Sequence, residues 1–396
     1  MSRVIYLDNN ATTQVDNRVV EAMVPFLNQY YGNPSSMHSF GGQVGKHLVH
    51  ARDQVSQILH ADPTEIVFTS CGSESDNTAI RGVLDSNPDK RHIITTRVEH
   101  PAVLNLCQFL KKRGYEITFL AVDGEGRLNL DELRSAIRPD TAIVSVMYAN
   151  NETGVIFPIE EIGQIVKSHG TIYHVDAVQA VGKLPLDMTR STIDLLALSG
   201  HKIHAPKGIG VLYIRRGTRL TPFIIGGHQE RNRRGGTENV ASIVGLGAAC
   251  EIAGTNLVEE NTRVRRLRDK LEQGILKTVP NVRVNGDPAR RLPNTSNISF
   301  EYIEGEAILL LLDQFGICAS SGSACTSGSL EPSHVLRAMG VPFTAAHGSI
   351  RFSLSRYNTE EEIDLVLEKA PGIVERLRAI SPFWQEYQKE LAGSKA

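Results

Sequence analysis

The chain contains the run Leu195-Leu196-Ala197-Leu198-Ser199-Gly200-His201-Lys202, in which a short apolar segment ends in a polar turn and a lysine. Similar apolar runs rich in Val, Ile and Leu occupy residues 66–69, 92–95, 117–120, 142–146 and 172–175. Runs of this length without polar alternation are typical of buried, mostly parallel strands. The run at 195–202 therefore predicts a sheet strand with an amine at its end.

Stretches with the apolar spacing of helices lie between these runs, at 51–60, 102–113, 131–137 and 159–168. Strands that alternate with helices predict a layered α/β sheet. In such sheets ligands bind beyond the carboxyl ends of the strands. Because Ser73, Asn151, Asp176 and Lys202 each come just after a predicted strand, we expect them to converge on one site.

The sequence changes character past about residue 260, where a charged helical stretch leads into irregular Pro- and Asn-bearing sequence. Strand-like residues 296–300 and 350–354, with a helix over 305–315, predict a second, compact α/β unit. We therefore predict a large domain over 16–260. The small domain would comprise 1–15 and 261–396. Thr359 with Glu362 fits a capping box for the last long helix.

Length and composition indicate an ordinary folded protein. Of the 396 residues, 41% are apolar and 22% are charged, and the formal net charge is -2, which offers no field for nucleic acid or acidic membranes. No segment resembles a secretory signal or a bilayer span, so a cytoplasmic location is expected. The five cysteines form no C-x-x-C pair, which argues against a disulfide framework and a zinc site. No metal site is predicted.

Lys202 and Asp176 together predict an aldehyde cofactor. A lysine amine can form a Schiff base with pyridoxal phosphate, and a strand-end carboxylate can keep the pyridine nitrogen protonated. Ser199 and His201 flank the lysine and could bond the cofactor's phosphate. The alternative is a surface lysine in a basic loop.

A second candidate for phosphate binding is Ser70-Cys71-Gly72-Ser73-Glu74, which follows a strand and opens a helix. Backbone N–H groups at a helix start and the Ser73 hydroxyl can hold a phosphate. Simple capping of the helix is the alternative. His100 follows the next strand, where an imidazole could stack on a flat ring or move protons, although a structural role is open as well.

Cys325 lies in the run Ser320-Ser321-Gly322-Ser323-Ala324-Cys325-Thr326-Ser327-Gly328-Ser329. One interpretation is a flexible Ser/Gly linker, and the other is an exposed thiol that acts as a nucleophile. Cys107, Cys250 and Cys318 stand in apolar contexts and are interpreted as packing residues. Arg351, on a late strand, either pairs with a substrate carboxylate or forms a structural ion pair.

Several motifs, spread over nearly the whole chain, carry a resemblance to a known family. They are Tyr6-Leu7-Asp8-Asn9-Asn10-Ala11-Thr12-Thr13, Glu74-Ser75-Asp76-Asn77, Asn150-Asn151-Glu152, His174-Val175-Asp176-Ala177, Ser199-Gly200-His201-Lys202, Arg234-Gly235-Gly236-Thr237 and Ser321-Gly322-Ser323-Ala324-Cys325. The chain resembles the pyridoxal-phosphate-dependent cysteine desulfurases of the class V aminotransferase family, and more closely the nitrogen-fixation type. This resemblance implies the fold type I, aminotransferase-like α/β architecture. A large domain with a mainly parallel sheet would be joined to a smaller α/β domain that carries the Cys325 loop.

The resemblance also implies roles for individual residues around the cofactor. Lys202 would bind pyridoxal 5'-phosphate covalently, Asp176 would pair with the pyridine nitrogen, and His100 would stack on the ring. Gln179 and Asn151 would bond the ring oxygen and the substrate region. The phosphate would be held by Gly72, Ser73, Ser199 and His201, and by Thr237 of a neighbouring subunit, so a homodimer with shared sites is implied.

The implied reaction converts L-cysteine to L-alanine. Arg351 would bind the substrate carboxylate, Lys202 would move the α-proton, and Cys325 would take the sulfur as a persulfide. An iron–sulfur scaffold protein would accept this sulfur, with nitrogenase as the expected client. The alternatives are a selenocysteine lyase or another enzyme on the same fold, and a non-catalytic binding protein that keeps the fold.

Overall fold

The computed structural model describes residues 4–321 and 332–393. Its strands are β1 (Ile5–Tyr6), β2 (Ile66–Thr69), β3 (His92–Thr96), β4 (Glu116–Leu120), β5 (Thr141–Met147), β6 (Ile172–Asp176), β7 (Leu195–Ser199), β8 (Gly210–Ile214), β9 (Val282–Val284), β10 (Thr295–Phe300), β11 (Ile317–Cys318) and β12 (Ser349–Ser353). The main sheet has seven strands in the order β2-β8-β7-β6-β5-β3-β4. Every strand predicted for the first part of the chain is present in it.

The main sheet is mainly parallel, as the sequence predicts. The strands from β4 through β3, β5 and β6 to β7 run parallel, and β8 runs antiparallel to both of its neighbours. Strand β8 was not predicted, because the ten residues 200–209 that connect it to β7 contain no α-helix to mark it as a separate βα unit. At the start of β8, a Cβ on Gly210 would lie 2.7 Å from the Cys71 backbone. Only glycine allows this close approach.

The main helices span Asn17–Met23, Ser39–Leu59, Gly72–Ser86, Pro101–Lys111, Leu130–Ala136, Ile159–Ser168, Val240–Thr255, Arg265–Thr278, Gly305–Asp313, His334–Ala338, Phe343–His347, Glu360–Ile380 and Pro382–Gly393. The predicted helix 51–60 is the second half of Ser39–Leu59. The first half was not predicted because it contains Gly41, Gly42 and Gly45, and glycine has a low helix propensity. The capping box is confirmed: the Glu362 N–H donates to Thr359 Oγ1 and the Thr359 N–H donates to the Glu362 carboxylate, both at 3.3 Å.

The charged stretch after residue 259 is not one regular helix. A wider, π-helical turn over Glu260–Val264 precedes Arg265–Thr278. Within this turn Asn261 Nδ2 donates to the Lys183 carbonyl at 2.8 Å. The predicted helical stretch is confirmed, but its π-helical turn was not predicted, because a tertiary contact of this kind leaves no mark on the local apolar spacing.

Two smaller sheets accompany the main one. β10 pairs antiparallel with β9 and with β12, and β1 pairs parallel with β11. The predicted strands at 296–300 and 350–354 correspond to β10 and β12. Apolar residues of β10 and β12 pack with Arg265–Thr278 and Glu360–Ile380 in a core of their own. Beyond β1, the backbone of Asp8 pairs with Ser353, so the N-terminal segment runs alongside β12 toward the main sheet.

Within the ranges that the structure describes, no single helix has both the length and the apolar composition to cross a membrane. The helices Val240–Thr255 and Leu257–Thr278 satisfy those criteria only when taken together, and they are bent by 54° relative to each other.

Candidate active site

A cavity of about 280 Å³ opens where β6 and β7 end. The sequence-predicted residues that line it are Gly72, Ser73, His100, Asn151, Asp176, Gln179, Ser199, His201, Lys202 and Arg351. They come from distant parts of the chain, and all but Arg351 meet because parallel strands present their carboxyl ends at the same edge of a sheet. Arg351 comes from β12 of a smaller sheet. The expected convergence of Ser73, Asn151, Asp176 and Lys202 is therefore what the geometry shows.

Lys202 closes a single 3₁₀ turn, Gly200–Lys202, directly after β7. Its Nζ donates to the carbonyls of Asn10 and Ala11 at 2.6 and 2.7 Å. The turn requires glycine at its first position, since a Cβ on Gly200 would lie 2.9 Å from Ile209 Cγ2 and 3.0 Å from Ala205 Cβ. The lysine amine is thus held at the cavity by two adjacent backbone carbonyls, rather than exposed on a basic loop.

Asp176 is the last residue of β6 and is buried. Burial raises its pKa to about 6, while the Val178 N–H and the charge of Lys202 oppose that rise; the Val178 N–H donates to Asp176 Oδ1 at 2.9 Å. Burial, followed by the charge of Asp176, raises the pKa of the neighbouring Asp76 well above its usual value. Asp76 therefore keeps its proton, and Asp176 is the carboxyl that carries the charge.

His100 caps the helix Pro101–Lys111, and its Nδ1 accepts the Ala102 N–H at 3.1 Å. Burial, followed by the positive charge of Lys202, lowers the pKa of His100 to about 4. The imidazole is therefore neutral near pH 7, and because Nδ1 is an acceptor, the ring proton sits on Nε2. His100 thus presents a neutral ring at the cavity.

One end of the cavity is suited to an anion. Gly72 and Ser73 open the helix Gly72–Ser86, whose first N–H groups carry partial positive charge. A Cβ on Gly72 would lie 2.8 Å from Val178 Cγ2, so a larger residue there would require the Val178 side chain to move. Ser199 Oγ is buried and has no hydrogen-bond partner within the described part of the chain. Burial lowers the pKa of His201 to about 4, so its ring is also neutral.

Arg351, on β12, also lines the cavity and is 3% exposed. Its Nη2 donates to Asp8 Oδ1 at 2.8 Å and its Nη1 donates to the Asn151 carbonyl at 3.0 Å. Both interpretations of Arg351 therefore meet in one residue: it forms a structural ion pair and it faces the cavity. A guanidinium has five N–H donors, so donors remain for a carboxylate ligand.

Two predicted residues are not part of this cavity as described. Thr237 lines a different cavity of about 200 Å³, together with Glu230 and Arg234. Cys325 lies outside the described residues. Of its described neighbours, Ser320 pairs with Arg351 through two backbone hydrogen bonds of 3.2 and 2.6 Å.

On the far side of the undescribed stretch, Ser333 Oγ donates to the Glu152 carboxylate and His334 Nε2 donates to the Glu99 carbonyl at 3.0 Å. Both flanks of the Cys325 segment are therefore tied to elements that carry the cavity.

The family model described as Aminotransferase class-V matches residues 5–366 of the chain. The chain belongs to this family. A cysteine desulfurase of Trichormus azollae is 66% identical over 380 residues, which cover 96% of this chain and 95% of that protein. The cysteine desulfurase NifS of Azotobacter vinelandii is 61% identical over 381 residues, with the same coverage of 96% and 95%.

A solved structure titled NifS-like protein matches with a TM-score of 0.89 at 42% identity, over 95% of this chain and 100% of that one. Another, titled SspA in complex with cysteine, matches with a TM-score of 0.80 at 35% identity, over 90% of this chain and 100% of that one. The predicted resemblance to the cysteine desulfurases is confirmed, and with it the fold class. The chain is an enzyme of a family that uses pyridoxal phosphate.

The cavity of this family member fits that cofactor. The unpartnered Ser199 hydroxyl and the helix start at Gly72 provide donors for a phosphate, while Lys202 and Asp176 provide an amine and a carboxylate. A planar ring can lie between them, where His100 is neutral. This donor set contains no cluster of metal ligands, and within residues 4–321 and 332–393 no three His, Cys, Asp or Glu side chains come together as metal ligands would.

Some residues that shape the cavity were not predicted from the sequence. Asn10 and Ala11 hold Lys202 through their carbonyls, and the Asn10 carbonyl also accepts Gln179 Nε2 at 3.0 Å. The run Tyr6–Thr13 was noticed as a motif, but backbone carbonyls leave no residue-type signal. Cys71, which belongs to the predicted phosphate-binding segment, lines the cavity as well. By contrast Cys107 and Cys250 are fully buried, which raises the pKa of each thiol to about 12, so their interpretation as packing residues is confirmed.

Proposed function

We propose that this enzyme is a cysteine desulfurase that converts L-cysteine to L-alanine and takes the sulfur as a persulfide on Cys325. The observation that carries the proposal is the single cavity in which Lys202, Asp176 and Arg351 meet. These three side chains supply an amine for an aldehyde cofactor, a carboxylate for a pyridine ring and a guanidinium for an amino-acid carboxylate.

We assign the cofactor contacts from the same cavity. Lys202 would hold pyridoxal phosphate, Asp176 would face its ring nitrogen, and His100 would lie against the ring, with Gln179 and Asn151 toward its oxygen. Gly72, Ser73, Ser199 and His201 would hold the phosphate. The cofactor supplies an electron sink for the bond that breaks at the α-carbon.

Within this arrangement Lys202 acts as the base. Its amine, released from the cofactor, would remove the α-proton of L-cysteine and return a proton during formation of alanine. The Asn10 and Ala11 carbonyls keep Nζ within reach of the cavity in the meantime. Neutral His100 carries its ring proton on Nε2, so it can donate a hydrogen bond without adding charge near Lys202.

The sulfur step belongs to Cys325. Its thiolate would attack the substrate sulfur, forming an S–S bond while the substrate's C–S bond breaks and its electron pair returns to carbon. Support comes from Ser320, which pairs with Arg351 at the cavity. Cys325 is five residues further on, a contour of at most about 18 Å. An acceptor thiol would then collect the outer sulfur.

We also propose the oligomeric state, the sulfur acceptor and the location of the enzyme. We infer a homodimer in which Thr237 contacts the phosphate of the neighbouring subunit, since Thr237 lines a different cavity in its own chain. An iron–sulfur scaffold protein is the proposed acceptor, and nitrogenase the proposed client, on the strength of the similarity to a protein named NifS. Cys71, Cys107, Cys250 and Cys318 are free thiols, which supports the reducing, cytoplasmic location.

The test is product analysis with L-cysteine and a reductant. The natural protein should release sulfide and alanine in equal amounts, and Cys325→Ala and Lys202→Ala should release neither. Cys318→Ala is the matched control, because it removes a partly buried thiol and should keep both products. Full sulfide release by Cys325→Ala would contradict the persulfide route and favour a selenocysteine-lyase type of reaction. A natural protein that gives no product would favour the binding protein.

A further inference from the structure

We propose that Asp8 is a positioning residue for the substrate: it fixes the Arg351 guanidinium so that the remaining N–H donors receive the carboxylate of the amino acid. This inference rests on the proposed function. Arg351 is 3% exposed and lines the cavity, whereas Asp8 is not among the described residues that line it. Asp8 therefore acts on the substrate through Arg351.

The contacts of Arg351 divide its donors into two groups. One hydrogen of Nη2 goes to Asp8 Oδ1 at 2.8 Å and one hydrogen of Nη1 goes to the Asn151 carbonyl at 3.0 Å. Nε has no partner in the described part of the chain. Since a guanidinium has five N–H donors in a rigid plane, two anchored donors fix the plane and leave the others for a second, bidentate carboxylate.

Asp8 is itself held firmly. The N–H of Leu7 donates to the Cys318 carbonyl at 2.8 Å and the N–H of Asn9 donates to the Ser353 carbonyl at 3.1 Å, so the backbone on both sides of Asp8 is paired with strands. The Asp8 side chain is 19% exposed, compared with 4% for that of Arg351. An immobile carboxylate of this kind is a suitable anchor, because holding it in place costs little further entropy.

The ion pair also solves an electrostatic problem. A buried guanidinium without a counter-charge is costly, and Asp8 neutralises Arg351 before any substrate binds. When the amino acid arrives, its carboxylate shares the guanidinium with Asp8 and needs no reorientation of Arg351. Pre-organisation of this type lowers the free-energy cost of binding.

The test compares two ligands that differ only in the carboxylate, L-alanine and ethylamine. Binding of each to the holoenzyme is followed by the absorption change of the bound cofactor, which requires no turnover and no Cys325. In Asp8→Ala the Kd for L-alanine should rise by about tenfold or more, because a hydrogen bond to a charged group is lost, and the Kd for ethylamine should stay the same. Asp8→Asn keeps an acceptor oxygen, so its Kd for L-alanine should rise by about threefold or less.

Steady-state rates provide the second readout. With L-cysteine, Asp8→Ala should raise KM by about the same factor and leave kcat within about threefold. Asp131→Ala is the matched control, since Asp131 forms an exposed pair with Arg134 and should change neither Kd nor KM. An equal rise for both ligands would show that Asp8 has only a structural role and would overturn the proposal. So would unchanged binding, or tighter binding of L-alanine in either variant, which would mean that Asp8 competes with the substrate.

If the protein were not a cysteine desulfurase, the results would differ from those of a failed Asp8 proposal. In that case the natural protein would form no alanine from L-cysteine, and its bound cofactor would not respond to L-alanine at all. The Asp8 proposal fails only if the natural protein responds and the variants do not separate the two ligands.

Discussion

Asp176 is buried and lies near a positive charge, and these two influences act on its pKa in opposite directions. Burial raises its pKa to about 6, and Lys202 and the Val178 N–H keep it from rising further. At neutral pH it is a carboxylate in a place where charge is expensive, so it gains much from a positively charged partner. A protonated pyridine nitrogen would be such a partner.

Asp176→Asn should therefore damage catalysis more than folding. The amide fills the same volume but cannot balance a pyridinium charge, and we expect kcat for alanine formation to fall by about 10²–10³-fold. Rates at saturating L-cysteine and the thermal unfolding midpoint of the cofactor-free protein are the measurements. An active variant, or one that is inactive because it is unfolded, would contradict this role.

Cofactor binding should depend on pH through the same residue. As the pH falls through about 6, Asp176 takes up a proton, so its attraction for a pyridinium is lost and the affinity should fall by up to about tenfold per pH unit. The pKa values of His100 and His201 lie near 4, so neither ring changes charge above about pH 5. Affinities measured from pH 5 to 8 should show this slope in the natural protein and a smaller one in Asp176→Asn, which also corrects for titration of the phosphate.

The helix Gly72–Ser86 and strand β8 form a unit that sets the position of Gly72 and Ser73, the proposed phosphate donors. Gly210 lets β8 pass close to Cys71, and Gly72 lets the helix start pass close to Val178. The Ser75 hydroxyl donates to the Val211 carbonyl at 3.0 Å and adds a polar tie between the two elements. The place of Ser73 thus depends on a strand that contributes no predicted site residue.

Gly210→Ala tests this dependence. Its Cβ would approach the Cys71 backbone to 2.7 Å and the Leu198 carbonyl to 2.9 Å, and backbone on both sides leaves little room to relax. We expect a loss of about 1–3 kcal/mol in unfolding free energy and weaker cofactor binding. Gly254→Ala is the control, because its Cβ meets nothing within 4 Å in a helix. Normal stability and cofactor affinity in Gly210→Ala would contradict the prediction.

Across the molecule as a whole, the enzyme keeps several acids buried near its cavity. Glu99 is fully buried, and burial raises its pKa to about 8. The folded state therefore holds a proton on Glu99 that the unfolded chain releases above about pH 4.5. The stability that this proton provides is complete below the unfolded pKa and decreases as the pH rises toward the folded pKa.

Glu99→Gln should remove this pH dependence, because the amide keeps the acceptor for the Thr96 hydroxyl and the Met147 N–H and has no proton to lose. Between about pH 5 and 8 the variant should gain up to about 1.4 kcal/mol of unfolding free energy per pH unit relative to the natural protein. Urea unfolding across this range measures it, with the exposed Glu386→Gln as control. Parallel pH profiles for Glu99→Gln and the natural protein would show the prediction to be wrong.

The sequence could predict the parallel strands and the side chains at their ends, because buried strands and strand-end polar residues leave local patterns. It could not predict β8, the π-helical turn near Glu260 or the carbonyls of Asn10 and Ala11, since these depend on contacts between distant segments. Arg351 lies between these cases. Its residue type suggested a carboxylate, but its partner Asp8 is visible only in the folded chain.

The pairing of Asp8 with Arg351 determines when, during synthesis of the chain, the cavity can be fully assembled. The two residues are 343 positions apart, so at about 5–20 residues per second a ribosome needs roughly 17–70 s to pass from one to the other. Until then a nascent chain can fold the strands around Lys202 but lacks Arg351, the residue that we propose binds the amino acid. On that proposal, release of sulfur from cysteine has to wait until the chain is almost fully synthesised.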